Sequence, residues 1–215
     1  MLKNYLKIAY RQLLKNKLFS LVNILSLSIS LTACMLIFHY VGFELSYDSF
    51  HPNADRIYRV ALDKYQPGGY NIAMATNFNA LPKAIQEQVP EAEIASMSMR
   101  PVGVWIFTRE QGSQTVQFQE DHLLYADKRF LNIFTYEWLA GSATKALEEP
   151  YSLVLTKSMA AKYFGQSTNA EDIIGQSLQV SFYSYNIDHT ITGIIKDVPD
   201  NTHLPFDILL SSSSF

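Results

Sequence analysis

The chain has 215 residues, 48% hydrophobic and 17% charged, with 13 Tyr, 13 Phe and one cysteine. That is a folded rather than a disordered composition, and a single cysteine excludes an intrachain disulfide and a Cys-based zinc site. The net charge of −3 hides a division: residues 1–43 carry five basic side chains and no acidic one, whereas the rest carries 12 basic and 20 acidic, which argues against a nucleic-acid partner.

Over residues 2–16, Leu2, Tyr5, Leu6, Ala9, Leu13 and Leu14 recur at three- and four-residue steps and predict an amphipathic helix. Lys3, Lys7, Arg11 and Lys15 sit mostly off that stripe. Beside a membrane span, such a helix lies on the inner surface of the bilayer; the alternative is a mere positive flank for insertion. Residues 18–43 carry no formal charge. At about 1.5 Å per residue, that run can cross a hydrocarbon core of about 30 Å with some tilt. Basic residues precede it, Lys17 being the last, and Glu44, Asp48 and Asp55 follow. The positive-inside rule then predicts a cytoplasmic helix at 1–17, a transmembrane helix at 18–43 and an extracytoplasmic domain at 44–215. Ser20, Ser26, Ser28, Ser30 and Thr32 within the span suit close packing against partner helices, or simply bond the carbonyls of their own helix. Leu31-Thr32-Ala33-Cys34 fits a lipoprotein cleavage site, but the nine residues after Cys34 stay apolar where a polar linker is expected, so the span is expected to stay uncut.

Beyond a polar exit loop at 47–55, RIYRVALDKYQ (56–66) alternates like a strand, and YNIAMATN (70–77) offers a hairpin partner across Pro67-Gly68-Gly69. Residues 80–89 read as a helix with Pro82 in its first turn. Strand-like runs follow at 93–99, 103–109 and 114–119, then a short apolar stretch at 123–126 and a short helix at 127–134 capped by Asp127. YSLVLT (151–156) reads as a strand, after which Thr156 can cap a helix over KSMAAKYF that Gly165 stops. Residues 176–184 and 189–198 are strands, and Ile208–Leu210 begins another. Many strands and a few short helices without βαβ regularity predict an α+β domain.

No chemistry emerges from the motifs. His39, His51, His122, His189 and His203 form no HxH or HExxH pair, and no nucleophile elbow or phosphate-binding glycine loop occurs, so catalytic, cofactor and metal residues are expected to be none. Asp197, Asp200 and Asp207, around Pro199 and Pro205, suit turns better than a cation or an acid/base pair.

Two stretches, YLKIAYRQLLKNKLFSLVNILSLSISLTACMLIF and FELSYDSFHPNADRIYRV, resemble the start of a MacB/FtsX-type ABC transporter permease, closest to a group common in Bacteroidetes. FTYEWLAGSATKALEEPYSLVLTKSMAAKYFG and ITGIIKDVPDNTHLPFDILLS extend the resemblance over nearly the whole chain. The resemblance implies an inner-membrane permease subunit with a MacB-like periplasmic core domain after its first span and three further spans, in some members a duplicated set. It also implies a partner ATPase that alone binds ATP, a permease homodimer or heterodimer, a periplasmic adaptor, and coupling of ATP hydrolysis to export or mechanotransmission. On this reading 44–215 is a truncated domain, with a sheet edge left unpaired at its C-terminal end. The competing class is a single-span sensor or anchored binding domain; an enzyme is not expected.

Overall fold

Helix α1 (Leu2–Lys15) and helix α2 (Lys17–Glu44) form the first of two units, residues 1–47. The structure is a computed structural model that describes residues 2–65, 68–69, 71–74, 76–112 and 114–214. One residue, Asn16, separates the helices, with φ −112° and ψ 61°. The elbow is bridged because Ser20 Oγ donates to the Leu13 carbonyl at 3.1 Å. At 28 residues α2 is about 42 Å long by helical rise, more than a hydrocarbon core needs. None of its side chains is buried. Ser26, Ser30 and Thr32 donate to the carbonyls of Asn23, Ser26 and Ser28. These three hydroxyls are thus satisfied within their own helix, the local bonding open to Ser and Thr in any helix.

The second unit, residues 48–215, is mixed α+β. A two-stranded antiparallel sheet joins β1 (Leu62–Tyr65) to β2 (Asn71–Met74), Leu62 opposite Met74. The expected hairpin therefore forms, but its first strand is shorter than 56–66: Ala54–Arg56 is a 3₁₀ turn, and Tyr58 and Val60 are exposed. Gln66, Pro67 and Tyr70 lie outside the described residues. Helix α3 (Leu81–Gln88) follows with Pro82 in its first turn, as expected.

A nine-stranded sheet makes the body of this unit. Its strands are β3 (Ser98–Met99), β4 (Trp105–Gln111), β5 (Gln114–Glu120), β6 (Leu123–Ala126), β7 (Trp138–Gly141), β8 (Ser152–Thr156), β9 (Ser177–Phe182), β10 (Tyr185–Ile195) and β11 (Ile208–Ser211). They run in the order β3-β6-β11-β8-β10-β9-β4-β5, with β7 also paired to β10. The long β10 is the splice. Tyr185–Thr190 pairs with β9 and Gly193–Ile195 with β7, while Thr190–Ile195 lies parallel to β8. Gly193 faces Trp138, whose ring occupies the place of a side chain there. The last strand, β11, is interior, antiparallel to β8 and parallel to β6. The unpaired edge expected at the C-terminal end is absent among the described residues, where β3 and β5 are the outer strands.

Both faces of the centre are covered, which is why β6, β8 and β11 read as unbroken apolar runs rather than alternating ones. One face carries Leu153, Leu155, Ile208 and Leu210 against Tyr163 and Phe164 of α5 (Lys157–Phe164) and Ile173 of α6 (Ala170–Ile173). The other carries Leu124, Val154 and Leu209 with Phe130 and Leu131 of α4 (Phe130–Ile133), Tyr136 and Phe206. Thr156 caps α5 and Gly165 ends it with φ 91°, as the sequence predicts. Asp127 does not stand at the N-cap of α4; that place is taken by Arg129. The Asp127 carboxylate instead accepts from the backbone of Arg129 and Phe130 and from the Arg129 guanidinium, anchoring the preceding turn. Strands β3 and β7 are both outside the pattern read from sequence: β3 keeps two residues of the run at 93–99, and β7 lies where none was expected.

Candidate functional site

Asp48 stands four residues after the end of α2, where the second unit begins. Its backbone is left-handed, φ 54°, a conformation Asp tolerates better than most L residues. The Asp48 amide donates to the Asn201 carbonyl at 2.9 Å. Its carboxylate accepts from the Thr202 hydroxyl at 2.6 Å and the His203 amide at 3.3 Å, and its second oxygen pairs with His203 Nδ1 at 2.6 Å. Thr202 is buried, and its Oγ1 accepts from the Leu204 amide at 3.2 Å. The two segments are 154 residues apart in sequence, yet one side chain ties them at both backbone and side-chain level.

His51 continues the arrangement inward. Its amide donates to the Asp48 carbonyl at 3.1 Å. The imidazole, 3% exposed, lies among Phe50, Phe134 and Tyr136, with ring centroids 4.1, 5.2 and 5.5 Å away. Tyr136 in turn packs edge-on against Phe206 at 5.3 Å. Among the described residues, His51 Nδ1 and the Tyr136 hydroxyl have no hydrogen-bond partner. Burial holds His51 below its ordinary pKa against the opposing charge of Asp48 and a bond to the Thr135 backbone. Burial raises the Tyr136 phenol, and Asp48 adds to that. Burial also pulls the Asp48 carboxyl upward, but bonds from Thr202 and His203 outweigh it and hold the group below the usual carboxylate range.

The other histidines do not converge. His122 pairs with Asp207 at 3.3 Å, His189 is buried with Nδ1 near the Ile187 carbonyl, and His39 is on α2. No group of three metal-ligating side chains occurs among the described residues. Of the three aspartates read as turn-formers, Asp197 has another role: its carboxylate accepts from the amide and hydroxyl of Ser158 in the first turn of α5, both at 2.8 Å. The Asp48 arrangement was invisible in sequence, because neither partner announces the other across that separation. The one signal was an Asp and an Asn-Thr-His run in two loops. Chemically the site binds two chain segments together, with the buried Thr202 hydroxyl committed to the Asp48 carboxylate.

A separate concavity of about 520 Å³ lies at the elbow of α1 and α2, lined by residues that include Leu13, Phe19, Asn23 and Leu27. It is mostly apolar, as expected for a surface that meets lipid or other helices rather than a soluble ligand.

Among the described residues one helix, α2, is long and apolar enough to cross a bilayer, and a mixed α+β domain follows it. Residues 20–215 match the MacB-like periplasmic core domain family, and the chain belongs to it. It therefore carries the periplasmic core domain of a MacB/FtsX-type permease. Solved structures similar to it include a domain of a Porphyromonas gingivalis protein described as a permease, 25% identical, covering 63% of this chain and 57% of that one with a TM-score of 0.48. Another is the periplasmic region of MacB from Actinobacillus actinomycetemcomitans, 13% identical, covering 55% and 47% with a TM-score of 0.34. The chain spans less than two thirds of either. No curated protein matches it.

Proposed function

We propose that this chain is the N-terminal part of an inner-membrane ABC transporter permease subunit. Residues 1–17 are cytoplasmic, 18–43 cross the membrane and 44–215 form the external core domain. A partner ATPase hydrolyses ATP below, and the permease, working as a homodimer or heterodimer, converts that into movement of the external domain for export or mechanotransmission. A periplasmic adaptor is a further expected partner. The family match over residues 20–215 carries the reading. The basic residues before α2 and the acidic ones after it support the orientation.

Topology is tested with single cysteines at Lys3 and Asp200 in a Cys34→Ser background. An impermeant thiol reagent added from outside should label position 200 and not position 3; the reverse would overturn the topology. Coupling is tested with Leu6, Leu13 and Leu14 all replaced by Ser. Each buried Leu contributes about 1.5–3 kcal/mol, so the triple change should free α1 from the membrane or bundle while leaving the span and its charges intact. ATPase activity with loss of transport or resistance output is the expected result. Normal output would show that α1 is only a positive flank.

A further inference from the structure

We propose that Asp48 is a latch that passes displacement of the span's outer end into the centre of the sheet. The inference rests on the coupling reading above and adds its route. The chain enters the external domain at residue 48, and its next sheet elements are β1 and β2, which form their own two-stranded sheet. Followed along the sequence alone, a pull on α2 would reach that small sheet first. The hydrogen bonds give a shorter path. The Asp48 amide and carboxylate grip residues 201–203 by four contacts. Residues 204–207 then run directly into β11. That strand lies between β6 and β8 with every side chain buried, so it cannot shift without its neighbours.

Two observations make the junction a grip rather than a tether. Phe50 and His51, just past Asp48, are anchored in the aromatic cluster with Phe134 and Tyr136, and Phe206 from the gripped segment joins that cluster through Tyr136. Both sides of the latch therefore end in one apolar cluster. Asp48 also keeps a left-handed backbone, which aims its amide and carboxylate at the same short segment.

The test is hydrogen exchange on the whole chain in lipid vesicles, comparing the native protein with Thr202→Val, Asp48→Ala and Asp48→Asn. Thr202→Val keeps shape and removes one donor. It should speed exchange of amides in 48–51 and 201–204 together by about tenfold, with β8 unchanged. Asp48→Ala should do so more strongly. Asp48→Asn keeps an acceptor for the Thr202 hydroxyl and should fall between native and Ala. Loosening of 48–51 alone, or equal acceleration in β8 with Thr202→Val, would overturn the latch. In the permease assembled with its ATPase, Thr202→Val should lower output per ATP hydrolysed while hydrolysis continues. Undiminished output despite loosened segments would overturn the transmission route. Failure of the coupling reading itself shows separately, in the ATPase and output measurements on the native permease and the Leu6, Leu13 and Leu14 variant, and leaves the exchange result standing.

Discussion

Strand β8 and helix α2 draw on the same apolar residue types and meet opposite fates. In β8 all five side chains are buried, Leu153, Val154 and Leu155 completely. In α2 none of 28 is buried, and Phe38 and Leu18 are about as open as a side chain can be, at 77% and 81% exposed. Apolar burial drives folding at roughly 25 cal/mol per Å² wherever the partner surface comes from. β8 finds that surface on both faces within its own domain. α2 leaves it to be supplied by other molecules, lipid or further helices. An apolar run alone does not distinguish the two; length does. Five residues fit a sheet interior, and a 28-residue helix fits a bilayer.

The sharpest way to break this comparison is to charge α2. Ile29→Asp together with Leu36→Asp places two carboxylates in the run, each costing about 2.5–3.5 kcal/mol at the centre of a span. The chain should leave the alkali-resistant membrane fraction. If it stays, the exposed face of α2 is not in contact with lipid.

A Leu→Ala pair sharpens it further. Leu155→Ala empties a fully buried site between the sheet and α5 and should cost about 2–5 kcal/mol of domain stability. Leu25→Ala removes the same atoms from α2 and should leave the thermal transition of the domain where it was. Equal effects on that transition would mean that the two regions share one core.

The regular parts of this fold were legible for the same reason that β8 and α2 stand out. Strand β8, the cap at Thr156, helix α5 and the stop at Gly165 follow one another as local signals, and each is settled within a few residues. What stayed hidden was set at long range. Trp138 begins a strand because Gly193 on β10 leaves room for its ring, and nothing near Trp138 says so. Asp48 looks like one more loop residue until Thr202 and His203 are beside it. The family resemblance was carried by stretches that include both segments, but not by any sign that they touch. The candidate site was therefore unreadable, while the domain class was plain.

Acid offers a gentler probe of the domain's interior. His51 is buried with its pKa held below the ordinary 6.5, so the unfolded chain binds protons first as pH falls. Its contribution to stability is whole above that value and is lost progressively below it. His189 is buried and lowered in the same sense. Asp48 adds a second loss only below its ordinary 3.8, since its carboxyl is held lower still. Melting temperature should therefore fall between about pH 7 and about pH 5, and His51→Phe, which keeps a ring among Phe50, Phe134 and Tyr136, should flatten part of that slope. An unchanged slope in His51→Phe would place the acid-sensitive group elsewhere.

The smallest expected effect separates a local signal from a distant one at the same helix end. Thr156 Oγ1 accepts from the Met159 amide at 3.4 Å, a long bond, whereas Asp197 reaches the Ser158 amide and hydroxyl at 2.8 Å each. A carboxylate at a helix N-terminus also gains from the exposed amides and the helix dipole. Sequence spacing pointed to Thr156; geometry gives the stronger cap to Asp197, which follows β10 by two residues. Thr156→Ser, which keeps the hydroxyl, should change stability little, and Asp197→Ala should cost about 1 kcal/mol or slightly more, within the usual range for a lost N-cap. Because α5 closes one face of β8, that loss should appear as a lower melting temperature of the domain and not as a change in membrane insertion. If Asp197→Ala melts with the native protein while Thr156→Ala falls by a full cap's worth, the short-range signal is the one that holds the helix, and the bonds to Ser158 contribute nothing measurable.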